Sequence, residues 1–524
     1  MQLIPANLTT IIASDIKKPN CQIKIAWDLS TYDIGADFGV VGTSTVGGTD
    51  VVQGEGSYIT RWQKYYFTDE SEYLKGWEYT KEAEYPFMGV IKSRASVVLD
   101  NHDKHFFPTI YPYNVKQGRL IRLFDGYNGY FIPQFVGVAD KPVNNIKTME
   151  TTIEAYDVLT YLENFEMAGA VYENMMRSDI VIAILEEAGF GDTEYFVDNS
   201  EGSCDLVWIE KGEKALDIIR DICQAEDARF YADEEGYLRW ESRYHLAKLP
   251  HNGSVYTFNY DNNIFSVELN KDNIINKGIC EIKPRRWAEP DKIFELSGSQ
   301  ENVIIQAGET IEIYADYKLP IKDVTQPTDG GTKSFYTANS QADGQGTDLT
   351  ADIGITAFAT YSTISFVQIT NSGGSTAYLT GLTIWGTPAK ESDPIIYKTD
   401  DTLATDSIAE YGIKEYELKN NRFINTLIEA KGLMDWLVWA NKDSMNTLNL
   451  EVDGIVQLQI GDRVSVVEET TGETLSMVVF KIEKTGNELK YNLFLAEKIT
   501  QYEDGIEYAV VGTSTVDGLD KLGR

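Results

Sequence analysis

The chain is short of three things: long apolar runs, basic residues and paired cysteines. No stretch of about 20 consecutive apolar residues occurs, so the sequence offers no helix that would span a bilayer. The opening residues, MQLIPANLTTIIASDIKK, lack a basic segment followed by a continuous apolar one and do not read as a secretory leader. Cys21, Cys204, Cys223 and Cys280 are scattered with no CxxC pair, which points to buried, reduced thiols in a protein made in a cytoplasm. Lys and Arg number 46 against 81 Asp and Glu, a formal charge of −35. A surface so acidic repels phosphate backbones, which argues against a specific grip on nucleic acid and suits solubility.

Catalytic patterns are missing too. There is no HExxH, no GxSxG, no glycine-rich phosphate loop and no metal-spaced set of His and Cys. His102 and His105 fall in a polar loop after a strand. Asp343-Gly344-Gln345-Gly346-Thr347-Asp348 resembles one turn of a calcium-binding repeat, but one copy supplies too few of the roughly six to eight oxygens calcium takes. The expectation is a chain with no catalytic residue, no metal and no cofactor.

What is present suits several β-rich cores. Hydrophobic residues make up 43% and aromatics 12% of 524 residues, with 31 Tyr. Much of the chain alternates apolar and polar residues with Val, Ile, Thr and Tyr prominent. Ile23, Ile25 and Trp27 share one strand face. Asp125-Gly126 and Asn128-Gly129 lie between apolar runs and predict tight hairpins. From 166 the rhythm changes. Ser178 is placed to cap a helix carrying Ile180, Ile184 and Leu185, stopped by Gly189, and a second helix is expected over about 212–225. A hairpin over 229–240 follows, turning at Asp233–Gly236. Thr, Ser, Gly and Ala dominate 324–389, which marks an insert. A long helix is expected at about 421–440 with Phe423 in its apolar stripe, and then strands resume.

The fold class expected is therefore mainly β with α+β: two β-barrels, a small α+β module between them and an inserted β-sandwich. The boundaries are 1–165 for the first barrel with an N-terminal arm, 166–245 for the module, 246–300 and 393–500 for the second barrel, 301–392 for the insert and 501–524 for a C-terminal arm. One repeat is identical over seven residues, VVGTSTV at Val40–Val46 and at Val510–Val516.

Four stretches carry a family resemblance. Val97–Asn101 with Gly118-Arg119-Leu120-Ile121-Arg122 and Phe135–Val138 is the first. Ala215–Arg220 followed by Ala228–Trp240 is the second. Ser407–Gly412, with Tyr411-Gly412, is the third, and Leu458-Gln459-Ile460-Gly461-Asp462-Arg463-Val464 is the fourth. In this order they resemble the tail hub proteins of long-tailed phages and contractile injection systems. The resemblance implies a structural virion protein at the tail tip: a homotrimer whose two barrels per subunit form a sixfold-like ring. That ring would meet the tail tube or distal tail protein ring, lie beside the tape measure protein and carry a tail fibre or receptor-binding protein, with DNA leaving through its channel. The insert departs from the minimal hub, and no lytic region is present to imply wall digestion.

Two other readings stand beside this one. Phe335, Tyr336, Tyr361, Tyr378 and Trp385 could stack on sugar faces in a carbohydrate-binding adhesion module, or fill the core of a small sandwich. Among 81 acids a glycosidase pair is also conceivable, but that abundance makes any single pair uninformative.

Overall fold

The computed structural model describes residues 19–27, 65–84, 87–107, 116–247, 251, 253–259, 264–272, 274–297, 303–453, 455–467, 472–484 and 490–497. Both copies of VVGTSTV, and both expected arms but for the stretch from Pro19 to Trp27, lie outside them.

The fold is mainly β. In the first meander, the strand Gly89–Asp100 turns Ile91, Ala95, Val97 and Leu99 to the interior, and Glu150–Asp157 beside it does the same with Ile153 and Ala155. Leu120–Tyr127 and much of Tyr130–Ala139 are buried on both faces, with Leu120 and Val136 packing among the helices, whereas Phe131 is exposed. Their turn is Asn128-Gly129, both at positive φ. Asp125-Gly126, expected as a second turn, is instead paired strand: a side chain on Gly126 would meet the Tyr130 carbonyl oxygen at 1.5 Å, so only glycine lets the hairpin close this tightly.

A second meander comprises Arg463–Val467, Thr474–Lys484, Lys490–Ala496, Met445–Asp453 and Ile264–Asp272. The two meanders are joined edge to edge through Tyr79–Glu82 and Lys481–Lys484. They share one apolar core, to which Trp77, Val97 and Ile153 contribute from one side and Leu448, Phe480 and Leu493 from the other.

The α+β module holds the helices Arg177–Glu187 and Ala215–Glu226 and the hairpin Arg229–Ala232/Leu238–Glu241. Gly189 ends the first helix at φ +83, with the Phe190 amide donating to Leu185. Its start differs from expectation: the helix begins at Arg177, whose side chain is anchored in the interior, and Ser178 is a buried first-turn residue rather than the cap. The long helix also starts later, spanning Leu427–Asn441. Thr426 and Glu429 form a reciprocal capping box there, and Phe423 is buried in the preceding turn. This helix packs on a separate three-stranded sheet of Lys277–Ile282, Ile395–Lys398 and Glu415–Lys419. Cys280, Ile282 and Leu418 enter the helical core with Leu433 and Met434, so these residues, expected in the second barrel, belong to the helical layer.

The insert is a β-sandwich. One sheet is organised on the long strand Ala377–Glu391, and the other comprises Thr310–Asp316, Ile353–Thr360 and Ile364–Asn371. Val367, Ile369, Leu379, Leu382 and Ile384 fill the space between. Asp291–Ser297 pairs with the long strand, so the sandwich starts before residue 301. Its stem is the pairing of Arg285–Trp287 with Ala389–Glu391. Trp287 and Ala389 stand directly opposite each other, a gap that a two-residue turn closes. Replacing 288–388 by Asn-Gly should leave the remainder soluble, with its main thermal transition within about 5 °C of the parent's, since about 1 kcal/mol corresponds to a few degrees here. Aggregation of the excised protein would mean that the sandwich is integral to the rest.

Candidate assembly interface

The seam between the meanders has a regular geometry. Leu74–Glu82 opens a hairpin with Gly89–Asp100, and Thr474–Lys484 opens one with Lys490–Ala496. The two opening strands pair antiparallel, Tyr79 opposite Lys484 and Glu82 opposite Lys481. Antiparallel neighbours are related by a local twofold axis, so hairpin meets hairpin across the seam. Outward from it, each half adds a further antiparallel strand, Glu150–Asp157 in one and Met445–Asp453 in the other.

Beneath the seam lies a polar node built on a buried ion pair. Lys484 and Asp125 have no exposed side-chain surface, and the ammonium donates to both carboxylate oxygens at 2.7 and 2.8 Å. Tyr491 donates to Oδ2 at 2.6 Å and the Cys21 thiol to Oδ1 at 3.0 Å. The ammonium also sits 3.8 Å from the centre of the Trp77 ring. Burial, then the nearby Asp125 carboxylate, pushes the Cys21 thiol up to about 11, and burial holds the Tyr491 phenol far above its ordinary value. Lys484→Met should cost about 3–5 kcal/mol in denaturant unfolding by stranding a buried carboxylate, and Lys484→Met with Asp125→Leu should recover a large part of that loss. Equal losses in the single and double variants would show that the pair does not act as a unit.

Two further nodes fasten the α+β module. Arg229 and Glu241 are paired and buried, Tyr231 donates to Glu241 at 2.9 Å, and Arg229 donates to the Ile460 carbonyl at 3.1 Å. Lys81 reaches Glu234 at 2.9 Å, and Gln459 donates to the same carboxylate. The hairpin is thus clamped between the first meander and the turn 458–462. On the other side of the module Arg177 binds Glu226 at 2.6 Å, Glu429 and the Phe423 carbonyl. Burial alone would lower the Arg177 pKa, but Glu226 and Glu429 outweigh it and raise it.

Gly461 lies at φ +86, and Asp462 accepts the Gln459 amide at 2.8 Å. A side chain on Gly461 would lie 1.5 Å from an Arg229 nitrogen. Gly461→Val should therefore cost at least the 1–3 kcal/mol or so typical of backbone strain, read as a lower denaturant midpoint. An unchanged midpoint would mean that Arg229 does not occupy this site. Gly118 is at φ +84, and Arg119 accepts the Ala139 amide. Tyr411 closes the helix Thr405–Tyr411. Gly412 breaks it at φ +71, and its carbonyl accepts from Asn276 at 2.8 Å.

The insert aromatics do not form one platform. Tyr336 is a core residue, 6% exposed, donating to the Ile353 carbonyl at 3.0 Å. Phe335 stands opposite Thr383, two residues from Trp385 on the same face, with the Lys333 ammonium over the Trp385 ring. Tyr378 lies seven residues along that strand, beyond a register shift. Tyr361, 65% exposed, sits in a turn of the other sheet. His102 is exposed beside Asp100, and His105 stacks on Tyr73. Among the described residues no group of three or more His, Cys, Asp or Glu is placed to hold a metal ion.

Sequence reasoning gave no interior pairing role to Asp125, Lys484, Arg177, Arg229 or Glu226; it read Asp125 as a turn residue and Arg229 only as part of a hairpin. The one local signal is a charge inside an apolar run, as with Asp125 in Leu120–Tyr127.

No family model and no curated protein matches the chain. The solved structures with which the chain aligns include three tail proteins. The 43 kDa tail protein of prophage MuSo2 from Shewanella oneidensis is 12% identical over 83% of this chain and 96% of that one, with a TM-score of 0.42. A tail protein from Neisseria meningitidis is 9% identical over 82% and 94%, TM-score 0.42. Prophage tail protein gp18 from Listeria monocytogenes is 11% identical over 83% and 92%, TM-score 0.41.

Proposed function

We propose that this chain is a structural protein of a phage-type tail, a homotrimeric hub at the tail tip. It joins the tail tube or distal tail ring to tip or fibre proteins, lies next to the tape measure protein and surrounds the path of DNA ejection. The observation that carries this reading is the presence of two antiparallel meanders, joined at one seam, in a single chain. A threefold object contacts a sixfold ring equivalently only if each subunit offers two similar surfaces, and two meanders in one subunit are the units from which such a pair is built. The four stretches that resemble tail hubs support it: three of them contribute to the seam, to the strands beside it or to the hairpin clamped beneath it. The interior is given over to packing and to ion pairs that tie distant elements together, an investment in rigidity that suits a load-bearing ring.

Charge fits the same role. Three copies carry a formal −105, three times −35. DNA bears one negative charge per roughly 1.7 Å of axis, so a basic lumen would hold it by counterion release, whereas an acidic or neutral lining lets it slide. An electron-microscopy reconstruction of the assembled particle should show three copies around the tail axis, six hairpin units facing a sixfold ring, and a lumen poor in Lys and Arg. A copy number that is not a multiple of three would overturn the hub. A lumen ringed by Lys and Arg would overturn the sliding role.

A further inference from the structure

Nothing described so far uses the repeated VVGTSTV heptapeptide. Aligned without gaps, each position matched to the one 470 residues later, the likeness extends far beyond it. Residues 22–50 and 492–520 are identical at 12 of 29 positions. Several of the remaining pairs keep their chemistry, among them Leu29 with Ile499, Asp33 with Glu503, Asp37 with Glu507 and Phe38 with Tyr508.

The likeness begins inside the folded core. Gln22–Ala26 ends the strand Pro19–Ala26, and Asn492–Ala496 ends the strand Lys490–Ala496. Ile23 and Ile25 are buried as Leu493 and Leu495 are, and Ala26 as Ala496 is, with half-buried Lys24 and Phe494 at matching positions. Ile23, Ile25, Leu493 and Leu495 all enter the same apolar core. From each strand end the heptapeptide starts fourteen residues on, at Val40 after Ala26 and at Val510 after Ala496. Residues 28–50 hold four acids and no base; 498–520 hold five acids and one base, so both carry −4. Anchor, spacing, charge and recognition sequence are all duplicated.

We infer that 28–50 and 498–520 are two copies of one docking sequence, each taking the same acceptor on a neighbouring protein that presents it twice to every copy of this chain. An acceptor of one shape accounts for seven identical residues in a row in two segments anchored on different strands. The heptapeptide is rich in β-branched residues and free of proline, and it suits addition as a strand to an open sheet edge. Its acidic flanks call for Lys or Arg at the rim of that edge. The inference rests on the hub reading for the identity of the acceptor: a sixfold ring offers two equivalent sites to each subunit of a trimer.

The test is photo-cross-linking in assembled particles, with p-benzoylphenylalanine replacing Ser44 in one variant and Ser514 in another. Both positions should cross-link to the same peptide of the same neighbouring protein. Different peptides, a cross-link only within this chain, or none from either position would overturn the inference. Capture of one shared peptide from a protein that forms no ring would uphold the paired docking sequences while removing the tail-hub reading. As a second measurement, Val40→Asp with Val41→Asp, or Val510→Asp with Val511→Asp, should lower incorporation into particles by similar factors. Altering both copies should lower it at least tenfold, with the melting temperature of the purified chain unchanged. A loss confined to one copy would again overturn the inference.

Discussion

Taking an ammonium and a carboxylate out of water costs several kcal/mol for each ion, and their mutual attraction offsets this only when the geometry is good and the remaining donors and acceptors are filled. Lys484 and Asp125 meet those conditions: two short contacts between them, the Tyr491 hydroxyl and Cys21 thiol on the carboxylate, and the Trp77 ring under the ammonium. Asp125 belongs to the first meander, and Lys484 to the strand that forms the seam with it. A one-residue slip along the seam would turn Lys484 to the other face and leave Asp125 unpaired in an apolar core. The ion pair thereby specifies the register on which the two halves of the main core depend.

The other polar nodes repeat this logic at smaller scale. Each joins elements remote in sequence: Arg177 to Glu429 across 252 residues, Gln459 to Glu234 across 225 and Arg229 to the Ile460 carbonyl across 231. Apolar packing tolerates sliding, whereas a buried charge tolerates very little. The α+β module, held between the meanders and the long helix, is therefore positioned by directional bonds on both of its sides.

This division explains what could be read from the sequence. Features set by a few adjacent residues were legible, such as the Asn128-Gly129 turn, the Gly189 helix stop and the hairpin turning at Asp233–Gly236. The mainly β class followed from alternation and composition. Features decided by distant partners were not. Asp125-Gly126 has the composition of a turn, yet it is strand because Lys484 and Tyr491 await Asp125 in the interior. Phe423 has helical spacing with Leu427 and Ala430, yet the capping box at Thr426 begins the helix after it. The start of the sandwich was hidden because Asp291–Ser297 finds its partner almost ninety residues later. Of the candidate surface, the four stretches marked its parts, but the seam that relates them is a pairing between residues about 400 apart.

The span of the seam has a consequence for how the chain is made. Residues 74–100 leave the ribosome early, but the strands that complete their core, Thr474–Lys484 and Lys490–Ala496, are among the last described elements to be synthesised. Until then Asp125 has no cation, and the apolar faces of Trp77 and Val97 lack their covering layer. A core closed by such distant contacts forms slowly, and its precursor exposes adhesive surface while it waits. Translation products that stop short of residue 474 cannot form the seam, because its second strand is absent from them. Closure of the main core thus waits on the synthesis of residues 474–496.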